Sequence, residues 1–114
     1  MSTVDELLNS FIIELRRGTL VLSVLSQLSE PEYGYSLIQK LDSKNSSIEA
    51  GTLYPLLRRL EKQELLISKW DTNESRPRKY YVLSDKGREI YLCLKNEWEN
   101  LSKQLEGLLD KEEK

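Results

Sequence analysis

Residues 66–83 read Leu66-Ile67-Ser68-Lys69-Trp70-Asp71-Thr72-Asn73-Glu74-Ser75-Arg76-Pro77-Arg78-Lys79-Tyr80-Tyr81-Val82-Leu83. Before this stretch the apolar residues recur at helical spacing, and here the period changes. Leu66 to Trp70 and Lys79 to Leu83 are short and rich in β-branched or aromatic residues, while Asp71 to Pro77 is polar and turn-forming. The pattern predicts a β-hairpin with a basic tip, in which Arg76, Arg78 and Lys79 cluster around a proline that limits backbone freedom.

Upstream, Thr3 and Glu6 have capping-box spacing, so a helix can begin at Val4 with Leu7, Leu8, Phe11, Ile12 and Leu15 on one side. Gly18 interrupts or bends it. A second helical stretch carries Leu20, Val21, Val24, Leu25 and Leu28 and ends before Pro31. Gly34 and Tyr35 open a third, with Leu37, Ile38 and Leu41 in register and a polar exit from Asp42 to Ser46. Ser46 and Glu49 again have capping-box spacing, with Ser47 or Glu49 as alternative caps. Leu53, Leu56, Leu57 and Leu60 then form the stripe of a helix running to about Gln63, with Pro55 early enough to be tolerated.

Downstream, Ser84 is a good N-cap and Asp85 places an anion in the first turn of a helix. Tyr91, Leu94, Trp98, Leu101, Leu105 and Leu108 follow at spacings of 3, 4, 3, 4 and 3, a heptad seam. A helix of about 25 residues spans roughly 38 Å, more than so small a domain covers by itself. The seam therefore predicts a homodimer, with Leu8 and Phe11 of the first helix joining the interface.

Composition narrows the function. The chain has 114 residues, 32% charged and 39% hydrophobic, and no apolar run near the roughly 18 residues of a membrane span. Its acidic N-terminus is unlike a secretory signal, which predicts a cytoplasmic protein without membrane association. With no histidine and one cysteine, Cys93, there is no His-based catalysis, intramolecular disulfide or Cys/His zinc cage, and the glycines form no phosphate-binding loop. The expectation is a non-enzyme without metal or cofactor.

The net charge of −2 argues against a nucleic-acid partner, but its distribution does not. Residues 58–88 hold nine basic side chains (Arg58, Arg59, Lys62, Lys69, Arg76, Arg78, Lys79, Lys86, Arg88) against five acidic ones (Glu61, Glu64, Asp71, Glu74, Asp85). Local field decides where a polyanion docks. Helices followed by a hairpin give a mainly α fold with a small β-hairpin. That is the winged helix-turn-helix, in which one helix enters the major groove and the wing lies along the adjacent backbone. Residues 1–83 would be the DNA-binding unit and 84–114 the dimerisation helix.

At these residues the sequence resembles the PadR family of transcriptional regulators. The resemblance is carried by Glu14-Leu15-Arg16-Arg17-Gly18-Thr19-Leu20, Tyr33-Gly34-Tyr35-Ser36-Leu37, Gly51-Thr52-Leu53-Tyr54-Pro55-Leu56-Leu57-Arg58-Arg59-Leu60-Glu61, and Arg78-Lys79-Tyr80-Tyr81-Val82-Leu83-Ser84 with Gly87. It implies a repressor in which Tyr35, Ser36, Thr52, Tyr54, Pro55 and Arg58 approach double-stranded DNA from two helices, and Arg76, Arg78 and Lys79 from the wing. By physical type, Tyr35, Ser36 and Tyr54 suit phosphates, Thr52 and Pro55 suit base edges and thymine methyls, and Arg58 suits either. Tyr80 is assigned to the core. Many members carry Ser-Pro where this chain has Glu49-Ala50.

The short chain after the wing resembles the subgroup that dimerises through one C-terminal helix. In its drug-sensing members a tryptophan from each subunit stacks planar aromatic ligands at the dimer centre, and Trp98 matches that position. Ligand stacking, with Ile12 and Leu15 nearby, and plain dimer packing are both open, because Lys95 replaces an aromatic of the drug-binding pattern. Cys93 lies off the seam as a packing residue. The competing functional class is a winged helix that binds protein and has no operator of its own.

Overall fold

The computed structural model describes residues 3–73 and 75–109. Expectations that touch Met1, Ser2, Glu74 and residues 110–114 lie outside the described residues. Helix α1 (Val4–Arg17) starts on the capping box: the Thr3 hydroxyl accepts from the Glu6 N–H and the Glu6 carboxylate from the Thr3 N–H, each at 3.1 Å. It ends at Gly18. Although strongly amphipathic, α1 buries none of its side chains.

The core starts with α2 (Leu20–Ser26), which buries Val24 and Leu25, and with Leu28 just beyond it. Helix α3 (Gly34–Ser43) adds Leu37 and Leu41, and α4 (Ala50–Lys62) adds Leu53, Leu56, Leu57 and Leu60. Strands β2 (Leu66–Asp71) and β3 (Arg78–Leu83) close it with Leu66, Tyr81 and Leu83. Each fully buried leucine contributes roughly 1.5–3 kcal/mol through removal of apolar surface from water.

Two local readings are corrected. The sheet has three strands, not two, because Glu32 and Tyr33 form β1 (Glu32–Tyr33) on the free edge of β3, pairing with Tyr81 and Tyr80 in the order β1-β3-β2. The Ser46–Glu49 capping box does not form. Of the two alternative caps, Glu49 holds the cap position of α4, though its side chain makes no capping bond, while the Ser47 hydroxyl turns back to the Asp42 carboxylate. Asn45, at φ 62°, makes the left-handed turn that sends the chain from α3 into this approach.

Helix α5 (Asp85–Leu109) begins as the sequence predicts, with the Ser84 hydroxyl accepting from the Gly87 N–H at 2.9 Å. Its first turns pack on the core, where Gly87 is buried and Tyr91 lies against the apolar cluster. The rest projects outward. The radius of gyration is 17.2 Å, against about 13 Å for a compact chain of this length, and the principal extents are 60 × 37 × 24 Å.

Candidate nucleic-acid interface

The N-terminal ends of α3 and α4 and the wing face one cleft of about 780 Å³, bounded by Tyr35, Ser36, Tyr54, Arg76, Arg78 and Lys79. Six of the nine predicted contact residues thus meet in one place. Arg58 lies in a neighbouring cleft with Arg59, Lys62 and Lys79. Thr52 opens onto a third, on another side of α4, and Pro55 is exposed on the helix surface.

Close packing sets the first cleft's shape. A Cβ on Gly34 would overlap the Tyr54 ring, so a glycine at the start of α3 lets the phenol lie across the helix junction. Tyr54 keeps 37% of its surface exposed and Tyr35 68%, and both line the cleft. The Tyr35 hydroxyl accepts from Gln39 Nε2 at 3.2 Å, which leaves its proton for an external acceptor.

Other predicted contacts are engaged within the chain. The Ser36 hydroxyl accepts from the Tyr33 N–H at 3.0 Å and donates to Glu32 Oε1 at 2.8 Å, tying α3 to β1. Glu32 also pairs with Lys40 at 2.8 Å. Lys79 is half-buried: its ammonium donates to Glu61 Oε1 at 3.1 Å and lies 5.3 Å from the centre of the Tyr81 ring. The second Glu61 oxygen accepts from Ser68 Oγ at 2.5 Å. Glu61 therefore ties α4 to both strands of the wing.

The Ser68 hydrogen bond, followed by Lys79, lowers the Glu61 pKa, and the bond to Glu61 raises that of Lys79. A depressed carboxylate pKa stabilises the fold above its ordinary value of 4.5, and that contribution disappears as pH falls through the folded-state value below it. The partly exposed pair makes the effect small and local. Amide chemical shifts of Ser68 and Lys79 are expected to move together only below about pH 4.5. Glu61→Gln should abolish that step; a step that survived it would assign the transition elsewhere.

The wing root is ordered by Tyr33, which sequence reasoning did not place at the site. Its hydroxyl donates to Asp71 Oδ2 at 2.9 Å, its ring meets Tyr80 edge-on at 5.6 Å, and the Arg78 guanidinium lies 5.1 Å from its centre. Tyr80, assigned to the core from sequence, is instead half-buried against Tyr33, and the tyrosine of the buried cluster is Tyr81. Hydrogen bonds from the Asn73 N–H and Tyr33 lower the Asp71 pKa. Trp70 was also missed: it lines the cleft and is 62% exposed, paired in the ladder with Lys79. Its only signal was an aromatic beside a basic tip.

A comparison of the sequence with known families finds that residues 21–91 match the profile described as the transcriptional regulator PadR-like family. The chain belongs to the PadR-like family of transcriptional regulators. The fold agrees with solved PadR structures. A PadR family regulator from Eggerthella lenta is 48% identical, with a TM-score of 0.89 over 94% of this chain and 96% of that one. A PadR-like regulator from Bacillus cereus is 32% identical, with a TM-score of 0.76 over 87% of this chain and 99% of that one. A transcriptional regulator of Mycobacterium tuberculosis is 30% identical over 95 residues, 82% of this chain and 89% of its own.

The rest of the PadR chain leaves an apolar surface uncovered. Leu94, Trp98, Leu101, Leu105 and Leu108 are 36%, 47%, 48%, 49% and 74% exposed, and Leu8 and Phe11 of α1 53% and 63%. Trp98 borders a recess of about 370 Å³ with Leu22, Ser23, Tyr91 and Lys95. Within one chain the recess is built by α2 and α5. Ile12 and Leu15, predicted beside Trp98, do not line it. Cys93, read from sequence as a packing residue, is instead an exposed free thiol. No helix among the described residues is long and apolar enough to cross a membrane, and none of their His, Cys, Asp and Glu side chains form a metal-binding group.

Proposed function

We propose that this PadR regulator is a cytoplasmic homodimeric repressor that binds an inverted-repeat operator and releases it when a small molecule occupies the dimer. The observation that carries the reading is the convergence of α3, α4 and the wing on one cleft rich in arginine and tyrosine. The helix supplies groove contacts and the wing cations supply phosphate contacts. Two-fold pairing along α5 would give each half-site one recognition helix, and the uncovered seam from Leu94 to Leu108 supports that pairing.

The Trp98 recess, at about 370 Å³, is of a size for a small planar ligand. Its indole would stack an aromatic ring, and a second α5 would close the open side. An effector there would change the spacing of the two recognition helices and disfavour simultaneous docking. Trp98 fluorescence against a panel of planar aromatic compounds tests this arm.

The DNA arm is tested by titrating protein into duplex DNA at several salt concentrations. Affinity should fall steeply with salt. Arg58→Ala and Arg78→Ala should each weaken binding by about tenfold, or about 1.4 kcal/mol. Unchanged affinity in both variants, with their thermal unfolding intact, would refute the assignment of this surface.

A further inference from the structure

The cations of the wing lie on one side of the recognition helix, but its other side is also basic. Thr52 and Tyr54 are two positions apart on α4, so at about 100° per residue they point to roughly opposite sides. Tyr54 opens into the wing cleft. Thr52 opens into a separate cleft of about 340 Å³ walled by Arg16 and Arg17 from the last turn of α1. Both arginines are exposed, and neither guanidinium is in an ion pair among the described residues. The turn that carries them is fixed: the Thr19 hydroxyl donates to the Arg16 carbonyl at 3.2 Å, and the Gly18 N–H reaches the Leu15 carbonyl at 3.3 Å.

We infer that Arg16 and Arg17 belong to the DNA-binding surface and hold backbone phosphates on the side of α4 away from the wing. The inference rests on the DNA-binding reading above and extends its footprint onto α1. A major groove about 12 Å wide is filled by one helix of about 10–12 Å, so phosphates stand on both sides of a docked helix. Arg76 and Arg78 face one of these walls. The forked guanidinium donors of Arg16 and Arg17 suit the other. Glu49 is the acidic residue lining this cleft, and the two arginines outnumber it.

The test measures the affinity of the full chain for a mixed-sequence duplex between 50 and 200 mM KCl by fluorescence anisotropy. Each phosphate contact contributes about 0.9 to the slope of log affinity against log salt. Arg16→Gln with Arg17→Gln should flatten that slope by about 1.8 per protomer, each single variant by about half as much, and the paired lysine variants hardly at all. Lys103→Gln, on the outer part of α5, should leave it unchanged. An unaltered slope in the double glutamine variant, with Arg78→Ala still flattening it, would overturn the inference alone. A wild-type protein without salt-dependent DNA binding would overturn the DNA reading and this inference together.

Discussion

A chain carrying Leu101→Asp and Leu105→Asp is expected to sediment as a monomer at concentrations where the wild type is expected to sediment as a dimer. The two leucines follow Trp98 along one face of α5 and are 48% and 49% exposed in a single chain. Pairing would bury them, and burying two unpaired carboxylates in their place costs several kcal/mol each. The core is untouched, since neither residue belongs to the buried cluster, so circular dichroism should still report the helices. With one half-site engaged instead of two, operator affinity should fall by about 100-fold or more, because the second contact is no longer intramolecular. A dimer that survived both substitutions would move the interface off this seam.

Gly87→Ala is expected to be the most damaging single methyl group added to the protein. A Cβ at this position would collide with the Leu65 carbonyl, and that carbonyl already accepts from the Ser84 N–H at 3.0 Å. Ser84 in turn donates its hydroxyl to the Glu64 carbonyl at 2.7 Å and caps α5 through the Gly87 N–H. Relief of the overlap therefore shifts the helix start that three hydrogen bonds hold. A loss of about 3 kcal/mol is expected, lowering the unfolding temperature by about 10 °C or more. Gly107→Ala is the control, since a Cβ there meets nothing within 4 Å. It should stabilise α5 slightly, as alanine loses less backbone freedom than glycine in a helix. Similar melting curves for the two variants would show that α5 is not locked to Leu65.

How much of this was legible from the residues follows the range of the interactions. The capping boxes at residues 3–6 and 46–49 look alike in sequence, yet only the first forms. Thr3 starts a surface helix under no other constraint. Ile48, by contrast, packs against the core, and the left-handed turn at Asn45 sets a different approach to α4. Strand β1 was invisible because two residues have no period. It exists because β3 offers an unpaired edge after folding. The basic wing and the arginines of α4 could be named from sequence, whereas the cleft-lining positions of Trp70 and of Arg16 with Arg17 could not.

The helices, the hairpin and the seam of α5 were set within the sequence, because caps, turns and apolar periods act between residues a few positions apart. Which polar groups face outward was decided only when the elements packed. Lys79 meets Glu61 across 18 positions, and the Tyr33 hydroxyl reaches Asp71 across 38. Trp98 shares its recess with α2 rather than with Ile12 and Leu15 for the same reason: α1 buries nothing within one chain, while α5 packs against α2. Periodicity specifies the face a helix will bury, and the docking of the elements determines what that face meets.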